Sequence, residues 1–244
     1  MENNKSKPAS RTGKYFKYAI GEILLVVMGI LIALQVNNWN VDRVQRISEV
    51  KYLNNIKLDL QKDLASLSYQ IDFRNEKVKR LEKLINQING LAVDDIDELA
   101  KNVFFTLMEE RFTPNNSTYT ELASSGNLSL ISNDSIKKLL LELEELYKTN
   151  NFGIDHELFE YREYISKPMF KFTNTDQLFP VYSGDKTASE QNISIENFQG
   201  LFQSPEYKNG LVISNLMSMD FIPLYKNIQS KSQKIIDLID EDIE

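Results

Sequence analysis

Few side chains in this chain have the types and spacing that chemistry requires. There is one histidine, His156, and no cysteine. The missing cysteine removes disulfides, thiolate metal sites, thiol nucleophiles and a lipid-modified cysteine anchor. A lone histidine cannot build the usual zinc site, so His156 reads as structural or simply exposed. A Ser/His/Asp arrangement would have to use it as the base, and no G-x-S-x-G elbow is present. The nine glycines are scattered singly, without a Gly-rich phosphate loop. Glu109-Glu110 and Glu144-Glu145 have the form of solvated helix faces. A separated carboxylate pair for glycoside chemistry stays open, but no spacing singles one out. The reading therefore assigns no catalytic residue, no cofactor and no metal, and expects no enzymatic activity.

One acid stands apart. Glu22 is the only ionisable group of acid or base type within residues 18–36, YAIGEILLVVMGILIALQV. As a helix this run is about 28 Å long, enough to cross a hydrocarbon core of about 30 Å. An acid within a span is by default a candidate for pairing with a partner or relaying protons. Glu22 is also about one turn from the N-terminal end, where it could reach headgroups, so an interfacial role stays open. Gly21, Leu25, Gly29 and Ala33 recur every four residues. Gly29 and Ala33 form a small-xxx-small pair that allows close helix approach, although such residues are common in any membrane span. Trp39, the only tryptophan, follows the run, and Tyr15, Phe16 and Tyr18 precede it, as expected of interface anchors.

Charge orients the span. Residues 1–17 hold five bases and one acid, leaving 23 bases against 34 acids in the rest of a chain of net charge −7. Residues 1–17 read as a flexible basic tail that stays in the cytoplasm. The C-terminal domain is then periplasmic, on an inner (cytoplasmic) membrane. A cleaved signal peptide is the main competitor. The run ends in Ala33-Leu34-Gln35-Val36-Asn37-Asn38, which offers no A-x-A-like site, and it is longer than a usual signal core. The acidic remainder repels phosphate backbones and excludes nucleic acid as an expected partner.

Residues 21–40, GEILLVVMGILIALQVNNWN, resemble the N-terminal signature of a family of uncharacterised single-pass membrane proteins from Bacteroidota. Its members read close to G-E-I-[IL]-L-V-V-[IM]-G-I-L-I-A-L-Q-[IV]-N-N-W-N. Ser125-Gly126-Asn127-Leu128-Ser129-Leu130-Ile131 and the leucine-rich stretch after it are similar too. The resemblance implies an envelope protein with no assigned activity and carries over no catalytic residue. Asp134-Ser135-Ile136 fits the short D-S/T-apolar pattern of Bacteroidota O-glycosylation and is equally explained as a helix cap.

Beyond the span a heptad pattern begins. Leu53, Leu60, Leu67, Leu81 and Ile88 form one series, broken by Arg74. Leu64, Ile71, Val78 and Ile85 form the second, broken by Lys57. The stripe suits an intramolecular bundle or a parallel homo-oligomeric coil. No Pro or Gly lies between Gly29 and Gly90, so the span should continue as a rigid stalk until Asn89-Gly90 stops it. A second helix is expected from Asp94 or Asp95 to about Phe112. Thr118 and Glu121 have capping-box spacing for a short third helix ended by Gly126. Asn133 or Asp134 should cap a further helix that pauses at 150–153 and continues to Lys167-Pro168. Residues 168–193, rich in aromatics and interrupted by Pro180 and Gly184, read as an ordered irregular excursion. It is the first choice for a recognition loop. Ser194 should start a short helix, and Ser204-Pro205 a last one that Pro223 kinks or splits.

The expected fold is all-α. An N-terminal transmembrane helix continues into a long heptad-patterned helix, followed by an antiparallel helical bundle with one irregular aromatic excursion. The division is 1–17 tail, 18–36 transmembrane helix, 37–92 stalk and long helix, and 93–244 the rest of the extracytoplasmic domain. The expected role is interaction or scaffolding at the inner membrane, with other envelope proteins as partners and self-association open. The rivals are a ligand-sensing bundle acting through a partner and a proton-coupled, stator-like subunit using Glu22.

Overall fold

The computed structural model describes residues 12–243. Their regular structure is all helical, without a strand among them. Contacts divide the chain at Lys51/Tyr52 into two compact units.

Among the described residues the first unit is a single stretch of α1 (Thr12–Ile88). α1 begins inside the segment read as a tail; residues 1–11 of that segment lie outside the described residues. An 18-residue window here has a mean hydropathy of 2.4 and is not buried at all. Its leucines, isoleucines and valines all face outward. The helix is long and apolar enough here to cross a membrane, which is consistent with a membrane anchor.

The second unit holds the rest of α1 and ten further elements. α2 is Ile96–Phe105, α3 Ser117–Ser124 and α4 Asp134–Glu160. A π-helical turn, Tyr161–Ser166, links α4 to α5 (Lys167–Phe172). α6 (Thr175–Ser183) and α7 (Gln199–Phe202) precede the long α8 (Pro205–Ile243). Short 3-10 turns span Asn127–Leu130 and Ile195–Phe198.

Three helices make the frame. α1 and α4 run parallel, since Asp63 meets Tyr147 and Arg74 meets Glu157. α8 runs antiparallel to both: Lys57 meets Asp240, Ser68 meets Gln229, and Arg74 meets Ser218. Each helix buries a series with alternating three- and four-residue steps. On α4 the series runs from Ile136 through Leu140, Leu143 and Tyr147 to Asn150 and Glu157. On α8 it runs from Ser218 through Phe221, Tyr225, Ile228 and Ser232 to Ile235 and Ile239. These are the steps of coiled-coil packing.

Among the described residues no fourth long helix joins them. The chain leaves α2 at Phe105, turns at Thr106, and runs back along α1 as a non-helical strap over residues 106–116. Glu110 lies by Arg74, Asn115 by Asp63, and Thr118 by Asp59. The expected second helix thus stops early, because these residues cross the bundle instead of coiling. Phe112, wholly buried against Tyr147 and Tyr225, plugs the strap into the core.

Two apolar clusters result. One joins α1 from Leu53 to Ile71 with α4 and the C-terminal half of α8. The other joins Leu81 and Leu84 with α2, α5, α6 and the start of α8. Between them α1 presents Arg74 and Lys77.

Several local expectations hold. α1 ends at Ile88 and Gly90 takes φ 108°, a value that suits glycine. Asp95 caps α2 by accepting from the Glu98 N–H at 3.0 Å. Asn133 caps α4, accepting from Ser135 and Ile136. Ser204 accepts from the Tyr207 N–H to begin α8.

Others need correction. Thr118 does not cap α3; its hydroxyl donates to Asp59 at 2.6 Å, and α3 starts one residue earlier. α4 does not pause at Gly153. That residue is helical, and it is small because a Cβ there would lie 2.9 Å from the Phe221 ring. Pro168 does not end the helical run, since it falls in the first turn of α5, where its missing N–H costs little. Residues 168–193 are mostly α5 and α6, and most of their irregular backbone lies beyond Gly184. α8 is not split at Pro223, which sits on its more exposed side.

Candidate functional site

The residues singled out by sequence in and beside the apolar run all lie on α1. Gly21, Glu22, Gly29, Ala33 and Trp39 are spread along the first unit, and Trp39 is 64% exposed. A Cβ built at Gly21 or Gly29 would meet nothing within 4 Å. His156 is exposed on α4, 3.8 Å from Glu160. Among the described residues, no three His, Asp or Glu side chains converge as a metal site would require.

The concentrated chemistry lies elsewhere, inside the three-helix seam. Most buried positions on α1 fall in two series, Leu53, Leu60, Leu67, Arg74 and Leu81, and, three residues after each, Ile56, Asp63, Gln70, Lys77 and Leu84; Glu49, Ile71 and Gln87 are buried beside them. Three members of the second set are polar, and so is Arg74. Burying such groups is costly unless each is paired.

Arg74 is wholly buried and grips Glu157 with both terminal nitrogens, Nη2 to Oε2 at 2.7 Å. The two-pronged geometry matches the planar guanidinium to the carboxylate. The same guanidinium stacks 4.5 Å from the Phe221 ring centre and donates to the Glu110 carbonyl at 3.4 Å. Lys77 adds a second cation, its Nζ 3.2 Å from Glu157 Oε1. Burial pulls the Glu157 pKa up, but hydrogen bonds from Arg74 and the charge of Lys77 outweigh it and hold the carboxyl at about 2. Lys77 titrates below the usual lysine range: burial disfavours its charge, and Glu157 offsets this only in part.

A second polar knot lies toward Leu53. Asp63 Oδ1 accepts from the Asn115 N–H at 2.8 Å and from its side-chain amide at 2.7 Å. Asp63 Oδ2 accepts from the Tyr147 hydroxyl at 2.6 Å. Burial and the Asp63 carboxylate together push the Tyr147 hydroxyl far above the usual phenol range. Asn150 donates to the Phe112 carbonyl at 3.3 Å, and the Tyr161 hydroxyl donates to the Leu107 carbonyl at 3.3 Å.

These contacts share one logic. A strap without helix or sheet leaves main-chain N–H and C=O groups that need partners once buried. Asp63, Arg74, Asn150 and Tyr161 supply them. The polar seam residues therefore pin residues 106–116, and the ion pair sets α1, α4 and α8 in register. A cavity of about 20 Å³ beside this knot, lined by Asp59, Asn115, Tyr119, Glu144 and Tyr147, takes a group the size of a water molecule.

Past Glu157 the helix widens into the π-turn 161–166. Gly210 on α8 lies directly against it: a Cβ there would come within 2.7 Å of the Tyr164 carbonyl oxygen. Sequence reasoning missed the whole network because its second heptad series, Leu64, Ile71 and Val78, sits one residue past Asp63, Gln70 and Lys77; of the three apolar residues only Ile71 is buried. The signal was the presence of polar residues at seam spacing on two helices, Asp63 and Arg74 on α1 and Asn150 and Glu157 on α4.

No curated protein and no solved structure matches the chain. The profile of one family, described as a family of unknown function (DUF6090), matches residues 22–195. That match takes in most of the apolar run, the strap and both polar knots, and the chain belongs to DUF6090.

Proposed function

We propose that this protein is a membrane-anchored interaction module of the cell envelope. The first unit holds it in the cytoplasmic membrane, and the second unit is a periplasmic scaffold that presents helical surfaces to other envelope proteins. The observation that carries the reading is the apolar window of α1, long enough to span and wholly uncovered by the rest of the chain. The basic residues before it and the mixed flank after it support an inside N-terminus. Exposed Phe152 and Phe159 on α4, with Phe170 and Phe179 on α5 and α6, support a surface that meets a partner. Phe170 and Phe179 belong to the segment 168–193 expected to recognise something. The seam charges support a scaffold, since their partners lie within the fold.

Alkaline carbonate extraction tests the anchor. The full chain should stay with the membrane pellet, and a chain starting at residue 37 should be released. Release of the full chain would sink the reading.

A further inference from the structure

Where α1 leaves its apolar run, one side of the helix keeps apolar residues that nothing in the fold covers. Ile23, Ile30, Asn37 and Val44 are seven apart, and Ala33, Asn40 and Ile47 sit three residues after the last three of them. Together they mark one stripe. Val44 and Ile47 are 51% and 61% exposed, in a part of the helix that lies past the span. Val36 and Val41 flank the stripe, while Asn38, Asp42 and Gln45 occupy the far side. An apolar stripe on a helix in water needs cover, and an isolated helix of this length is marginal without it.

The stripe fits a second copy of the same chain. A single span inserted in one direction places every copy at one depth and in parallel, so each residue meets its own counterpart. Isoleucine or valine at the first position of a heptad favours two strands, and one asparagine there fixes the register at some cost in stability. Ile23, Ile30 and Val44 hold that position, with Asn37 among them. Flanking positions raise no conflict: Val36 would face Val41, and Arg43 would face Ser48, so no like charges oppose one another.

We propose that the protein is a parallel homodimer paired through this stripe of α1, with the two Asn37 side chains hydrogen-bonded across the seam. The inference rests on the anchored reading above. It concerns residues 23–47 alone, and it uses a side of α1 other than the Leu53 and Ile56 positions buried in the bundle.

The absence of cysteine makes the test clean. Single cysteines are placed at Asn37, Asn40, Val44 and Ile47, and at Asn38, Asp42 and Gln45, in the full chain in native membranes. Copper-phenanthroline oxidation is followed by non-reducing gels. The seam positions should give disulfide dimers at several-fold higher yield than the other three. Adding Val44→Glu and Ile47→Glu to the Asn37→Cys chain should abolish its dimer while leaving the protein in the membrane. Equal yields at all seven positions, or none at the seam in membrane-retained protein, overturn the pairing alone. Loss of the protein from carbonate-washed membranes overturns the anchored reading with it.

Discussion

Arg74 and Glu157 meet through a two-pronged ion pair in the seam of α1, α4 and α8, between two apolar clusters. Neither residue could be buried alone. Together with Lys77, Ser218, Phe221 and the Glu110 carbonyl, they hold three helices and a crossing strap at one level.

Breaking the pair on one side should therefore cost more than replacing both halves. Arg74→Met leaves Glu157 with Lys77 alone and should lose about 3–5 kcal/mol of unfolding free energy. Arg74→Met with Glu157→Leu should recover only part of that loss, because Lys77 then loses its buried carboxylate partner; adding Lys77→Met should recover more. Urea unfolding of the four proteins of the Arg74/Glu157 cycle, followed by circular dichroism, gives the coupling energy, and additive losses would show that the pair is not coupled.

The pair also gives a pH dependence of known sign. Glu157 has a pKa of about 2 in the folded protein, against a reference of 4.5. A depressed carboxyl pKa adds stability that is complete above the unfolded value and disappears as pH falls through the folded one. Stability should drop between about pH 4.5 and pH 2, and the Glu157→Gln protein should lose that part of the slope. Acid titration of the urea midpoint compares the two. An unchanged slope in the variant would assign the acid sensitivity to other carboxyls.

Phe112 should be the plug that keeps the strap down. Phe112→Ala removes a ring buried against Tyr147 and Tyr225 and should cost about 3–5 kcal/mol. The strap should also become the first site of limited proteolysis, cut within residues 106–116 under native conditions. Cleavage that begins elsewhere would show that Asp63 and Asn150 hold the strap without the ring.

The two tight glycines should differ. At Gly210 an added methyl meets the Tyr164 main chain, which cannot move without shifting the π-turn. At Gly153 it meets only the Phe221 ring, which can tilt. Gly210→Ala should cost about 1–3 kcal/mol and Gly153→Ala less, both read from thermal unfolding. The reverse order would place the rigid contact at Phe221.

Much of this architecture was legible from hydropathy and caps. The uncovered run around Glu22, the stop at Gly90, the Asn133 cap and the Ser204-Pro205 start all arise from local rules and need no tertiary knowledge. The strap was not legible. Residues 106–112 keep helical spacing in their apolar side chains, and only long-range pairing with Asp63, Arg74 and Asn150 makes the extended path better. The polar seam was hidden for the same reason. A search for apolar heptads steps over Asp63, Gln70 and Lys77 to the apolar residue beside each. Glu22 and the Gly29/Ala33 pair were visible at once, because nothing else in the chain competes with a charge or a small residue inside an apolar run.

The proposed anchor and orientation together put residues 52–243 in the periplasm and Lys5 in the cytoplasm. The most direct measurement uses the cysteine-free chain with one cysteine introduced, Lys5→Cys before the run or Asp155→Cys on the exposed side of α4. Cells with a permeabilised outer membrane are treated with a membrane-impermeant thiol reagent. Asp155→Cys should label in intact spheroplasts, and Lys5→Cys should label only after detergent lysis. Labelling of Lys5→Cys with protection of Asp155→Cys would invert the orientation, and labelling of both without lysis would contradict the anchor.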